Sequence, residues 1–284
     1  MRVRKAVLPV AGFGTRFLPV TKAVPKEMLP ILDRPCVEYV MAEAVAAGVS
    51  EFVFVTARGK GALEEYFDRS PALEAALEAS GKRELLDEVR RVARMATIIS
   101  VRQQEQRGLG HAVLTAAPAV GDEDFAVLLP DDITDAEEPV LGQLLRVYEE
   151  VGGAVVALKN VPREDTRRYG ICAGPMLRDD RMRVEAMVEK PRPEDAPSTL
   201  SIVGRYVLPN DIFRVLRETR PGAGGEIQLT DALAVLAAEG RVHGHIFSGP
   251  SFDTGNPLGL LDAQLHFSVK RLGDPARRII ARYA

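Results

Sequence analysis

Short β-branched and aliphatic runs alternate with amphipathic stretches through the first half of the chain. The runs at 6–10, 51–56, 97–101 and 125–129 read as strands, and the stretches at 37–47, 60–67, 73–94 and 111–117 as helices. This alternation predicts an α/β fold with a mainly parallel central sheet and helices on both faces. Ligands of such sheets bind at the carboxyl ends of the strands, which here fall at Gly12, Gln103 and Asp131. The second half is less regular and richer in strand. Strands are expected at 154–158, 184–188, 201–207 and 242–247, and helices at 211–217, 228–238 and 258–272. Pro- and Gly-rich connections lie at 174–175, 191–197 and 221–225. The charged stretch 73–94, broken by Ser80-Gly81, reads as a solvated helical excursion. The basic, amphipathic 276–284 reads as a surface or subunit-contact helix.

A chain of 284 residues suits one large domain or two small ones. A single domain is expected, with parts at about 1–135 and about 136–255 and C-terminal helices at about 256–284. Apolar residues at 46% and charged residues at 27% are ordinary globular values, so a substantial core should form. A formal net charge of −3, with no basic block interleaved by aromatics, argues against nucleic acid as a partner. Cys36 and Cys172 have neither metal-like spacing nor a disulfide framework, and read as buried residues of a reducing compartment. No apolar stretch reaches membrane-spanning length. Met1-Arg2-Val3-Arg4-Lys5 runs straight into a strand without the apolar core of a signal peptide. A cytoplasmic protein is therefore expected.

The first strand leads into Gly12-Phe13-Gly14-Thr15-Arg16, then Thr21-Lys22 and Pro25-Lys26-Glu27-Met28-Leu29-Pro30. A turn poor in side chains lets backbone N–H groups approach a phosphate, and Arg16, Lys22 and Lys26 place positive charge around it. The turn is not a Walker loop, which needs four residues between its glycines and then Gly-Lys-Ser/Thr. Nor is it the dinucleotide fingerprint, because Phe17 stands where a third small residue is required, and Asp33 lies in a turn. Glycine spacing alone fits an ordinary tight turn equally well. The cations favour a nucleoside triphosphate.

Pro130-Asp131-Asp132 follows one strand and Phe252-Asp253-Thr254-Gly255-Asn256 follows another apolar run. Carboxylates at strand ends are oxygen donors suited to Mg²⁺, although a lone Asp there is also an ordinary turn residue. Asp131 and Asp253 are the expected metal pair, with Asp132 behind them. In the stretch from Gln103 through Gly108, Gly110 and His111, an amide can both donate to and accept from a pyrimidine edge. His111 itself reads as a helix-start histidine outside the chemistry. Tyr169-Gly170-Ile171 and Val188-Glu189-Lys190-Pro191 could offer an acceptor to sugar hydroxyls and a cation to a sugar phosphate. The bland alternative for Glu189 and Lys190 is a surface ion pair of little consequence. Gly225-Glu226-Ile227-Gln228-Leu229-Thr230-Asp231 reads first as a helix start and second as a ligand wall.

In order and along essentially the whole chain, these blocks, with Val203-Gly204-Arg205-Tyr206-Val207, resemble the sugar-phosphate nucleotidyltransferase family. Pro25-Lys26-Glu27-Met28 and Gln228-Leu229-Thr230-Asp231 resemble its UTP- and glucose-using branch, whereas thymidylyltransferases typically carry Ser-Lys-Gln in place of Pro-Lys-Glu. The resemblance implies a Rossmann-like, glycosyltransferase-A-like sheet, with Mg²⁺ as cofactor and UTP and α-D-glucose 1-phosphate as substrates. It implies that Ala11, Gly12, Gly14 and Glu27 contact the nucleotide and that Arg16 and Lys26 hold its triphosphate. By the same resemblance Gln103 and Gly108 read uracil, Glu189 accepts from glucose hydroxyls, and Lys190 neutralises the sugar phosphate. Gly170, Val203 and Gly204 lie beside the sugar, and Asp131 and Asp253 hold the metal. A homodimer or homotetramer is also implied. The segment 174–183 matches no family motif and reads as a variable loop. Two rivals stand beside this reading. A nicotinamide oxidoreductase is disfavoured by the glycine spacing. A non-catalytic nucleotide-sugar sensor is disfavoured by the joint presence of Arg16, Lys26, Asp131, Lys190 and Asp253.

Overall fold

Strand β1 (Lys5–Pro9) is apolar and buried on both faces, and it pairs in parallel with β2 (Glu51–Thr56). Strand β3 (Thr97–Arg102) extends the parallel ladder beyond β2, and β4 (Phe125–Leu128) joins β1 on its other side. A computed structural model describes residues 3–283, and in it these four strands form one wing of an 11-stranded sheet. Seven further strands complete the sheet. They are β5 (Ala154–Asn160), β6 (Gly170–Ala173), β7 (Met176–Arg178), β8 (Arg181–Arg183), β9 (Ala186–Glu189), β10 (Leu200–Leu208) and β11 (Val242–Ile246). The path runs β7-β8-β11-β5-β10-β4-β1-β2-β3, with β6 paired to β9 and β10. Strand β10 is antiparallel to both β4 and β5. Its register with β5 slips between Val203 and Tyr206, which bends the strand beside the carboxyl end of β4.

Alternate residues of each strand feed opposite faces, so two cores form. On one face Leu8, Phe52 and Phe54 pack with α1 (Cys36–Ala46), and Leu63 and Phe67 of α2 (Gly61–Phe67) join them. Beyond α3 (Pro71–Ala79) and α4 (Arg83–Ala93), the other face covers Val7, Val53 and Val55 with α5 (Leu109–Thr115). Helix α6 (Val140–Val151) returns to the first face through Leu141, Leu144 and Val147. Helices α7 (Ile212–Glu218) and α8 (Leu229–Ala238) complete the second core, and α9 (Pro257–Leu272) adds Ala263 and Phe267 to the first. Helix α10 (Asp274–Ile280) ends the described chain. Met1, Arg2 and Ala284, the outer ends of the expected N-terminal basic segment and C-terminal helix, lie outside the described residues.

The expected elements of the first half are all present. The stretch 73–94 divides at Ser80-Gly81 into α3 and α4, where Gly81 has φ +69°. The expected loop 174–183 instead carries β7 and β8, and the expected strand 184–188 is strand only at 186–188, so a short gap separates β8 from β9. Between them Val184 N donates to Val242 and Glu185 N to Ala173, so the chain passes from one neighbour to another. Helix α6 and strands β6 and β7 were not expected from the sequence. Cys36 and Cys172 are buried and free, and no helix among the described residues is long and apolar enough to cross a membrane.

Candidate active site

The carboxyl ends of β1, β3 and β4 open on a cavity of about 310 Å³ lined by Ala11, Gly12, Lys26, Gln103, Gly108 and Asp131, among others. Its far wall is the chain from Gln103 into α5. Gly108 has φ +103°, and a Cβ there would lie 2.7 Å from the carbonyl oxygen of Ile227. Only glycine allows that turn to close against the 225–228 segment. Gly110 N donates to Ile227 O at 2.8 Å and Ile227 N to Arg107 O at 2.8 Å, which locks the wall. Gln103 is 5% exposed, with its amide nitrogen 2.8 Å from His111 Nδ1. Gln106 Nε2 donates to Ala11 O at 2.6 Å, tying this wall to the glycine loop.

A second, more polar cavity of about 390 Å³ adjoins the first. It is lined by Gly14, Arg16, Lys26, Asp131, Asp132, Arg168, Lys190 and Asp253, among others. Gly255 measures the convergence. A Cβ on Gly255 would lie 2.7 Å from Asp131 Oδ2, 3.0 Å from Asp253 Oδ1 and 3.5 Å from Arg16 Nη1. Two aspartates far apart in sequence and the glycine-loop arginine therefore face one point. The Asp132–Thr134 and Ser251–Asp253 segments pair antiparallel, and Thr254 donates through both N and Oγ1 to Asp131 O, at 2.7 and 2.8 Å.

The charges here are strongly coupled. Lys26 Nζ lies 2.5 Å from Asp131 Oδ2, and Arg168 Nη2 lies 2.5 Å from Asp253 Oδ2. Burial alone would lower the Lys26 ammonium, but Asp131 and Glu27 outweigh it and raise its pKa. Burial alone would likewise raise the Asp131 carboxyl, and Lys26 holds it below the ordinary value. Asp132 is pushed up to about 7, first by burial and then by Asp131 and Asp253. Its Oδ2 accepts from Gly204 N at 3.0 Å, and a Cβ on Gly204 would lie 2.3 Å from that oxygen.

A third cavity, of about 230 Å³, continues beneath the second and is lined by Gly170, Glu189, Lys190, Ile202, Gly204 and Thr230, among others. Glu189 Oε2 accepts from Thr230 Oγ1 at 2.6 Å, and its Oε1 lies 3.1 Å from Lys190 Nζ. Lys190 has φ +47°, a left-handed backbone that lysine rarely adopts, secured by its N–H to Tyr169 O at 3.0 Å.

The structure thus draws Ala11, Gly12, Gly14, Arg16, Lys26, Gln103, Gly108, Asp131, Gly170, Glu189, Lys190, Gly204 and Asp253 onto three adjoining cavities. Three expected residues lie elsewhere, and the first, exposed Lys22, lines none of these cavities. Glu27 is 1% exposed with Oε2 on Lys60 Nζ at 2.8 Å, so its side chain is committed behind the site and lines none of these cavities. Val203 points into the core under α1 and α6, because neighbouring strand residues face opposite ways; Ile202 takes the cavity side. Sequence reasoning passed over Arg168, Gln106, Thr230 and Arg205. The last three sit inside or beside quoted blocks, and only their tertiary partners reveal them.

Among the described residues no set of three His, Cys, Asp or Glu side chains is placed to hold a metal unaided. The donor set nevertheless suits a hard divalent ion. Asp131 and Asp253 present oxygens across one gap, each matched now by a protein cation, and their field raises Asp132. Magnesium commonly takes one or two carboxylates and completes its shell with phosphates and water. The residues fit.

Residues 5–269 match the family model described as nucleotidyl transferase. The UTP–glucose-1-phosphate uridylyltransferase of Bacillus subtilis is 48% identical over 269 residues, covering 95% of this chain and 92% of that protein. A UTP-bound UGPase from Acinetobacter baumannii superposes with TM-score 0.91 at 41% identity, over 99% of each chain. A UDP-glucose pyrophosphorylase complexed with UDP-glucose gives TM-score 0.88 at 40% identity, covering 95% of this chain and all of that one. With its sheet, its three cavities and these relatives agreeing over nearly its full length, the chain belongs to the nucleotidyltransferase family.

Proposed function

We propose that this chain transfers the uridylyl group of UTP to α-D-glucose 1-phosphate, giving UDP-glucose and pyrophosphate. The observation that carries the reading is the meeting of Arg16, Asp131 and Asp253 at Gly255, between one cavity sized for a base and another sized for a sugar. Relatives named for that reaction, and neighbours holding UTP or UDP-glucose, support it. In this reading residues up to about 135 serve the nucleotide and those to about 255 serve the sugar phosphate. Exposed Leu258, Leu261, Leu265 and Leu272 of α9 offer an apolar surface for a homodimer or homotetramer, which sedimentation would test.

The substrate phosphate is already an anionic nucleophile at neutral pH, so no protein nucleophile is required. Its oxygen attacks the α-phosphorus of UTP, a new P–O bond forms, and the bond to the β-phosphate bridge breaks to release pyrophosphate. The obstacle is bringing two anions together, which orientation and fixed positive charge overcome. Lys190 and Arg168 lie on the sugar side of the polar cavity and offset the charge of the attacking phosphate. Arg16 and Lys26 lie on the nucleotide side and stabilise charge on the α-phosphate and the departing pyrophosphate. Glu189, held by Thr230, accepts from sugar hydroxyls and orients the ring. Mg²⁺ held by Asp131 and Asp253 would neutralise the phosphates further and hold them in line.

The test is pyrophosphate release from UTP and glucose 1-phosphate with and without Mg²⁺, against a panel of other nucleotides and sugar phosphates. Release confined to that pair and dependent on the ion is expected. Absence of release with UTP, or preference for another triphosphate, would overturn the assignment.

A further inference from the structure

We propose that His111 is a positioning residue for base selection: it fixes the side-chain amide of Gln103 so that the carbonyl end faces the base. The inference rests on the uridylyltransferase reading above and gives a task to a residue that reading leaves idle.

Gln103 Nε2 lies 2.8 Å from His111 Nδ1 and 3.5 Å from the carbonyl oxygen of Gly108. A carbonyl oxygen can only accept, so the nitrogen end of the amide must face that pair. His111 Nδ1 then accepts, and the ring proton sits on Nε2. Turning the amide over would set its oxygen against the Gly108 carbonyl and would require the ring proton on Nδ1 instead. Gln103 is buried, so water cannot relieve that conflict. The remaining end, Oε1, meets no donor among the described residues, and Gln103 lines the nucleotide cavity. Uracil offers a donor at N3, whereas cytosine carries a lone pair there. An acceptor held toward N3 thus favours uracil and thymine over cytosine.

His111 is itself held firmly. It stands in the first turn of α5, whose start is pinned by Gly110 N on Ile227 O, and its carbonyl accepts from Thr115 Oγ1 at 2.8 Å. Burial and then Arg107 lower the ring pKa, with Glu105 opposing them, so the ring is neutral at pH 7. Protonating Nδ1 would convert the acceptor into a donor and favour the inverted amide.

The experiment compares kcat/KM for UTP and CTP at pH 7.5 in the wild type, His111→Phe and Gln103→Ala. Phenylalanine keeps the ring but removes the acceptor. The expected result is a UTP:CTP preference reduced about tenfold in His111→Phe, with the loss falling on KM more than on kcat. An undiminished preference in His111→Phe, beside a collapsed one in Gln103→Ala, overturns the role of His111 while base reading by Gln103 survives. Undiminished preference in both overturns base reading itself. If His111→Phe fails to fold, His111→Leu, which also lacks the acceptor, is read in its place, and an undiminished preference there overturns the inference.

Discussion

Arg205 of β10, fully buried, clasps Glu43 of α1 with Nη2 2.7 Å from Oε2 and Nε 3.1 Å from both oxygens. Glu43 also accepts from Thr134 Oγ1 at 2.7 Å and Leu141 N at 3.0 Å, while Arg205 Nη1 reaches Leu129 O at 3.3 Å. One ion pair therefore ties α1, β10, the start of α6 and both sides of the Asp131-Asp132 turn. It lies beneath the reaction site and touches none of the three cavities.

Breaking that pair should cost far more than a surface ion pair. Glu43→Gln leaves the Arg205 charge buried without its partner, and removing one member of such a pair typically costs about 3–5 kcal/mol. Urea unfolding measures the loss, and a change below about 1 kcal/mol would contradict this account. The double variant Glu43→Leu/Arg205→Met should recover much of it.

The same pair sets an acid dependence. Burial alone would raise the Glu43 carboxyl, but Arg205 outweighs it and holds the folded pKa below the ordinary 4.5. A depressed carboxylate stabilises the fold above the unfolded pKa and loses that contribution as pH falls through the folded one. The stability gap between wild type and Glu43→Gln should be full at pH 7 and narrow only below about pH 4.5. A gap that is constant down to pH 3 would show that the Glu43 charge contributes nothing.

Arg16 is exposed and, among the described residues, donates only to Gly255 O at 3.4 Å, so its removal should spare the fold. Losing one preorganised contact to developing charge typically costs about 3 kcal/mol in the barrier. Arg16→Ala should therefore lower turnover about a hundredfold at an unchanged melting temperature. Near-wild-type turnover would remove Arg16 from the mechanism.

Gly204→Ala tests the close approach of β10 to the aspartate turn. The added carbon would sit 2.3 Å from Asp132 Oδ2 and 2.5 Å from Leu129 Cβ, so the turn bearing Asp131 must shift. About 1–3 kcal/mol of destabilisation is expected, with a fall in turnover out of proportion to it. A crystal structure of the variant with the turn unmoved would refute the argument.

Asp253→Asn should weaken divalent-ion binding. Paramagnetic Mn²⁺ titration reads the affinity directly, without relying on activity. Chelation by EDTA should abolish pyrophosphate release in the wild type, and excess Mg²⁺ should restore it. Full release in EDTA would exclude the ion from the reaction.

The sequence by itself determined the class of fold and most of the site. Strand-helix periodicity is local, so β1 to β4 and α1, α2 and α5 were legible from runs of a few residues. The glycines, cations and aspartates that line the cavities were legible because phosphate chemistry calls for particular residue types at strand ends. Helix α6 was missed although Leu141, Leu144 and Val147 carry a helical period, because no loop motif drew attention to it. Only the tertiary structure decided the rest. Whether Asp131 and Asp253 meet depends on two short strands pairing across the fold. Ile202 rather than Val203 lines the third cavity because strand parity decides it. Glu27 turns to Lys60, Arg205 to Glu43 and Gln103 to His111 for a common reason. A buried polar group takes the partner that the packed chain sets beside it, and that neighbour is distant in sequence.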